Sequence, residues 1–267
     1  METDEDRSPT VSVVVAAFDA EATLAAAVRS ALAQDGPPLE VLVSDDASRD
    51  ETRALARELA AADPRVRPIL SDANGGPSAA RNRALAAARG AFVAVLDADD
   101  LMEPGRIRHL LDVAALTGAD VVADNIVRFD GASGRDLSVA LERGTADHVF
   151  EVDAAAYARR NVPLRPGVPL GYLKPMFRRA LLARAGIGWD ARVRVGEDFL
   201  IVLEALLAGA RFAVSSRPLY RYRVAAGSVS HRLAPADVAA LAAGLDRVAA
   251  RRSPLPGAVA AALAEVR

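Results

Sequence analysis

The chain has 267 residues, a formal net charge of −2, and 52% hydrophobic and 25% charged residues. These are the proportions of a globular protein large enough to bury a sizeable core, and the near-neutral balance gives no electrostatic footprint for nucleic acid. The absence of cysteine excludes disulfides, thiolate metal sites and a cysteine nucleophile.

The first ten residues, METDEDRSPT, are acidic and polar and do not read as a secretory leader. VSVVVAA (11–17) is a β-branched run of strand length. EATLAAAVRSALAQ (21–34) has helical spacing at Leu24, Ala27, Val28, Ala31 and Leu32. LEVLVS (39–44) predicts a second strand. In the helix expected after it, Ser48 and Glu51 are spaced as a capping box, each side chain able to satisfy a backbone N–H. VRPIL (66–70) predicts a third strand, and PSAARNRALAAA a helix with Pro77 in its first turn. AFVAVL (91–96) predicts a fourth strand, and Pro104 opens a helix toward Leu116. Alternation of this kind implies an α/β fold, a mostly parallel sheet covered on both faces. In such sheets the ligand crevice lies at the carboxyl ends of the strands.

Beyond residue 120 the pattern is less regular. The apolar, proline-rich segment 161–175 reads as a packed loop over a cleft. RRALLARAG (178–186) and GEDFLIVLEALLAG (196–209) read as helices closed by Gly186 and Gly209. RFAVSSRPLYRYRV (211–224) gives one or two strands, and 235–252 and 256–267 give terminal helices. The expected organisation is one domain over 10–232, with a nucleotide-binding half (10–118) and an acceptor half (119–232), and a helical extension over 233–267. No stretch approaches the ~20 apolar residues of a membrane span.

Acidic residues collect at the predicted carboxyl edge. Strand four ends on Asp97-Ala98-Asp99, followed by Asp100. Carboxylates this close repel, and one retains a proton unless a cation joins them. Oxygen ligands suit Mg²⁺ or Mn²⁺, and in an extended conformation Asp97 and Asp99 face the same way. The same letters also fit a solvated acidic turn that caps the next helix. Asp45 ends strand two, where Ser48 already fills the cap role. Gly75 and Gly76 allow close backbone approach, and Arg81 follows on the next helix, within reach of a phosphate or base. Glu197 and Asp198 open a later helix, one to cap it and the other to act as a general base; both also fit as charges favoured by a helix N-terminus.

The ordered motifs VSVVVAAFDAEATL, EVLVSDDASRDET, NGGPSAARNRAL, AFVAVLDADDLMEPGRI and GEDFLIVLEAL resemble the family 2 glycosyltransferases of GT-A fold, over roughly residues 10 to 230. Within that family, GYLKPMFRRALL, VGEDFLIVLEALLAG and YRYRVAAGSVSHR resemble bacterial exopolysaccharide glucosyltransferases of the succinoglycan type. The resemblance implies a UDP-sugar donor, a divalent cation and inversion at the anomeric carbon. It assigns Ala16 and Phe18 to the donor site, with Phe18 against the uracil, and Asp45 to the uracil N3–H. Arg81 falls near base and phosphates, Asp97 and Ala98 on the nucleotide sugar, and Asp99 on the metal. Asp198 matches the catalytic base, with Glu197 beside it. The implied acceptor is a glycan or lipid-linked oligosaccharide, handled in the cytoplasm at the inner face of the membrane, where peripheral contacts from Arg159, Arg160, Arg165, Arg178 and Arg179 are one option and an ordinary solvated surface another.

The sequence departs from the family in two places. Ala16-Ala17-Phe18-Asp19 stands where the family carries Pro-x-Tyr-Asn, and Ala225 falls where relatives carry a histidine, so His231 is the candidate replacement as a metal or phosphate contact. His109 and His148 are assigned to structure or surface. Trp189, the only tryptophan, fits a sugar-stacking platform or a core position. Two rival readings are a Mg²⁺-dependent phosphotransferase of the haloacid dehalogenase type and a silent glycan-binding scaffold. The first places its DxD on strand one and uses a later lysine; here DxD ends strand four, and the sole lysine is Lys174.

Overall fold

The computed structural model describes residues 10–141, 147–161, 169–224 and 234–266. The first half alternates strand and helix as expected: β1 (Val11–Ala17), α1 (Leu24–Leu32), β2 (Leu39–Asp46), α2 (Thr52–Ala62), β3 (Val66–Ser71), α3 (Gly76–Ala87) and β4 (Phe92–Asp97). These four strands pair in parallel in the order β3-β2-β1-β4. β1 and β2 are buried along almost their whole length, as strands covered on both faces must be. A short β5 (Leu101–Met102) and α4 (Arg106–Thr117) follow.

The second half adds β6 (Val121–Asp130), β7 (Asp136–Val139), β8 (Val149–Glu151), α5 (Ala154–Arg160), a 3₁₀ turn (Leu170–Tyr172), β9 (Met176–Arg178), α6 (Arg179–Ala185), α7 (Glu197–Leu207), β10 (Phe212–Val224), α8 (Pro235–Arg251) and α9 (Gly257–Val266). A single ten-stranded sheet runs through both halves, continuing β4-β9-β6-β10-β5. β9 is antiparallel to both neighbours, Met176 lying opposite Ala94 and Val122. This inserted strand delivers Lys174 to the end of β4, because the carbonyl of the intervening Pro175 accepts from Val95 N–H. RFAVSSRPLYRYRV forms one strand, with register shifts around Pro218, which has no N–H for the ladder.

α7 is apolar nearly all round and buried from Glu197 to Leu206, the pattern of a helix packed on every side. Gly196 precedes it with φ +86°, a left-handed conformation that a side chain rarely adopts. α8 packs on α7. Arg251 makes a two-pronged ion pair with the buried Glu204 of α7, and Arg252 adds a third contact at 3.2 Å. Helix α8 therefore buttresses the helix that carries Glu197 and Asp198, while α9 packs on α5.

The capping box is not formed. Ser48 Oγ accepts instead from Asp19 N–H at 3.0 Å, Asp19 Oδ1 accepts from Arg49 N–H at 2.8 Å, and Glu21 Oε2 accepts from Glu51 N–H at 2.9 Å. The loops after β1 and β2 are thus zipped together by side chain to backbone bonds, which outcompete the local cap. Asp50 Oδ1 takes the Thr52 N–H at the start of α2. Asp19 sits at φ 47°, a left-handed conformation that Asp tolerates better than most residues.

The acid side of the stability curve follows from buried carboxylates. Burial by itself would raise the pKa of Glu40, but the Arg89 N–H, the Ser12 hydroxyl and the Arg67 guanidinium outweigh it and hold the carboxyl below its ordinary value. Burial likewise opposes Asp190, and Arg192 and Arg247 overcome it. Each carboxylate titrates lower in the folded chain than in the unfolded one, so its contribution is complete above the ordinary carboxylate range and is lost as pH falls through the folded value. Stability falls on acidification below about pH 4.5. Glu40→Gln flattens that fall, as read by Tm against pH; parallel curves for the two proteins would refute the linkage.

Candidate functional site

Asp97 is the last residue of β4 and lies in register with Ala16 of β1. Its neighbours form a turn, with Asp100 N–H donating to the Asp97 carbonyl at 3.1 Å. The expectation of an extended Asp-Ala-Asp is therefore corrected, and the reason lies in β10. Tyr220 OH accepts from Asp97 N–H and donates to Asp100 Oδ2 at 2.7 Å. Arg223 N–H donates to Asp100 Oδ1 at 2.7 Å, and its Nε donates to the Asp99 carbonyl at 2.6 Å. Ala98 is buried within the turn.

The three carboxylates consequently have three fates. Asp100 is buried and held by Tyr220 and Arg223; burial, with the charges of Asp97 and Asp99, pushes its pKa well up. Asp97 accepts from Arg81 Nη2 at 2.7 Å and pairs with Lys174 Nζ at 2.8 Å, one partner per oxygen. Burial opposes its charge, but Lys174 and Arg81 hold its pKa well below the carboxylate range. Asp99 is exposed, and its carboxylate has no ion-pair or hydrogen-bond partner from another described residue. Burial of its surroundings and the nearby Asp97 charge raise its pKa.

Arg81 and Lys174 connect this turn to α7. Arg81 is 4% exposed, and its guanidinium forks between Asp97 and Glu197, 2.7 Å from each, with Asp198 at 3.5 Å. Its charge is matched by carboxylates inside the fold. Lys174 Nζ bridges Asp97 and Asp198 at 2.8 Å each. Burial opposes the charge of Asp198, yet Arg81 and Lys174 keep its pKa below the ordinary value. Glu197 moves up, because of burial and then the Asp198 charge. Neither acid caps α7 through its side chain.

Trp189 is buried, 3% exposed, so it is no open stacking platform. Its indole N–H donates to Asp198 Oδ1 at 3.0 Å. Lys174 and this N–H are contacts of Asp198 that motif reading did not anticipate. The one available signal was that a chain with 33 Lys and Arg residues uses lysine once.

Beside this cluster, a pocket is lined by Ala16, Phe18, Asp46, Gly76, Pro77 and Arg194, among others. Phe18 is 44% exposed, an aromatic face at the end of β1. Asp45 and Asp46 lie on opposite faces, as consecutive strand residues do. Asp46 faces α3, accepting from Gly75 and Gly76 N–H and from Arg83. Asp45 faces α2, fully buried, 3.4 Å from Arg53 Nε, with no hydrogen bond to either oxygen. His231 and Arg165 lie outside the described residues.

Four of the other singled-out residues make contacts within the fold. His109 Nε2 bonds Ser215 Oγ at 2.8 Å, and His148 stacks on Phe150. Arg178 pairs with Asp120 and lies over Phe92, and Arg179 donates to the Gly90 carbonyl.

The sequence profile described as glycosyl transferase family 2 matches residues 12–181. The chain belongs to this family. It is 39% identical over 255 residues to the succinoglycan biosynthesis protein ExoO of Rhizobium meliloti, spanning 94% of this chain and 71% of that one. It is 36% identical over 207 residues to ExoU of the same organism, spanning 76% of this chain and 59% of the relative. Among solved structures, the 1–349 fragment of S. aureus TarS in complex with UDP-GlcNAc superposes with a TM-score of 0.75 at 23% identity, covering 96% of this chain and 71% of that one. The fold is GT-A. Among the described residues, no helix of this family 2 protein is long and apolar enough to cross a membrane.

Proposed function

We propose that the protein transfers a hexose, glucose being favoured, from a UDP-sugar to a hydroxyl of a glycan acceptor with inversion at the anomeric carbon. The observation that carries this reading is the convergence of Asp97, Asp99 and Asp198 beside the pocket that Phe18 walls. The fold brings together what such a transfer needs: an aromatic face for a base, a free carboxylate, and an ionised carboxylate on a rigid helix. The nucleotide-binding half is assigned to 10–118 and the acceptor half to 119–232. The similarity to two succinoglycan biosynthesis proteins supports a glycan acceptor, which we assign as a lipid-linked oligosaccharide at the cytoplasmic membrane face.

The residues fit a divalent cation in one specific way. Among the described residues, no group of three or more His, Cys, Asp or Glu side chains is arranged to hold a metal ion by itself. Mg²⁺ commonly takes one or two carboxylates and completes its shell with substrate phosphates and water. Asp99 supplies a free carboxylate, while both Asp97 oxygens are already engaged by Arg81 and Lys174. A Mn²⁺ or Mg²⁺ ion would be held by Asp99 and would supply charge neutralisation to the diphosphate leaving group. Asp198 accepts the proton of the attacking acceptor hydroxyl. Phe18 offers the base its aromatic face at the pocket that Asp46 also lines, and the anchored 97–100 turn fixes where Asp99 points.

A panel of nucleotide sugars tests this reading, scored with Mn²⁺ or Mg²⁺ for thermal stabilisation and for sugar release. A UDP-sugar raises Tm more with metal than without. Asp99→Asn removes most of the metal-dependent part and lowers transfer about 10-fold or more. Absence of stabilisation by any nucleoside diphosphate, metal present, would exclude the donor site.

A further inference from the structure

Asp198 is gripped from outside its own helix. Its Oδ1 accepts from the indole N–H of Trp189 at 3.0 Å, and its Oδ2 accepts from Lys174 Nζ at 2.8 Å. Each carboxylate oxygen therefore has one lone pair directed at a fixed donor, and the plane of the carboxylate is set by two chain segments. Both donors are themselves held. Asn82 of α3 clamps the Trp189 backbone from both sides, its Nδ2 donating to the Trp189 carbonyl at 2.7 Å and its Oδ1 accepting from the Trp189 N–H at 2.9 Å. The indole ring packs edge-on against Phe177 of β9, the centroids 6.1 Å apart. The Lys174 carbonyl accepts from Arg106 Nη2 at 2.6 Å, and Arg106 is locked to Asp124.

A carboxylate that served only as a helix-terminal charge would need no such grip. A base must present one lone pair in one direction before the acceptor arrives, and orientation errors of an ångström are costly. We propose that Trp189 and Lys174 are positioning residues for the general base, the indole N–H and the ammonium together holding the Asp198 carboxylate in the orientation that receives the acceptor proton. This inference rests on the reading of Asp198 as the base. The charge of Lys174 is shared with Asp97, so the same ammonium ties the base to the turn that carries Asp99. The base and the leaving-group side of the site thus share one rigid reference.

Trp189→Phe removes the N–H and keeps an aromatic ring against Phe177; Lys174→Met removes the ammonium and keeps the stem. Each variant lowers kcat about 10- to 100-fold, and in Trp189→Phe the KM for the donor sugar and the thermal shift given by UDP and metal stay as in the parent. Lys174→Arg recovers part of the loss. A second measurement keeps Trp189 intact. Because it is the only tryptophan, its emission reports on the Asp198 contact, and Asp198→Ala, which removes both acceptor oxygens, shifts that emission with far-UV circular dichroism unchanged. Wild-type kcat in both variants, with Asp198→Asn inactive, overturns the positioning role and leaves the base reading standing. An emission spectrum unmoved by Asp198→Ala overturns the hydrogen bond itself. Full activity in Asp198→Asn removes the base reading, and this inference with it.

Discussion

Replacing Asp198 by Asn lowers the rate of sugar transfer about 10²- to 10⁴-fold and leaves the affinity for UDP and metal close to that of the parent. An amide cannot take the acceptor proton, which accounts for the rate. The retention of structure follows from charge. Asp97, Glu197 and Asp198 face Arg81 and Lys174, three acids against two cations. Losing one negative charge balances the cluster instead of stranding a cation. The pocket beside Phe18 is lined by other residues, so nucleotide binding persists. Steady-state transfer together with calorimetric titration of UDP separates the two effects; turnover near that of the parent would assign the base elsewhere.

Arg106→Met destabilises the fold by about 3–5 kcal/mol. Arg106 is fully buried, bonded twice through Nε and once through Nη2 to Asp124, and its guanidinium lies 4.8 Å from the Tyr220 ring centroid. Removing it leaves Asp124, 1% exposed, as an uncompensated charge. Changing both residues together, Arg106→Met with Asp124→Leu, recovers much of the loss, because no charge is then left unpaired. Denaturant unfolding of the three proteins measures this. A single-variant cost below about 1 kcal/mol, typical of an exposed pair, would show that the pair contributes no more than a surface contact.

The two predictions concern residues that were unequally legible. Asp198 stands in a Gly-Glu-Asp motif at the start of an apolar helical run, a local pattern. Arg106 carries no local signal, since an arginine near a helix start reads as a solvated charge. The strands β1 to β4 were legible within about two residues at either end, because continuous β-branched runs bounded by turn residues are local and self-declaring. The Ser48–Glu51 cap was misread because its competitors come from the loop after β1, 29 and 30 residues away. Asp46 rather than Asp45 lines the pocket beside Phe18, and two adjacent identical residues give no clue to which face each takes until the register is set.

By itself the sequence determined the α/β class, the acidic carboxyl edge and the motif order that places the chain in its family, and it named Asp99 and Asp198 as candidates. These follow from periodicity, turn chemistry and short spacings, which neighbouring residues encode. Only the tertiary structure decided which acid is free and which is bound. Asp97 is neutralised by Arg81 and Lys174, Asp100 is tied to Tyr220 and Arg223, and the Asp99 carboxylate is paired with no other described residue. It also turned Trp189 inward onto Asp198 and brought Arg81 to Glu197 across 116 residues of sequence. A buried charge must find its partner wherever the fold puts one, and that partner is set by packing rather than by distance along the chain.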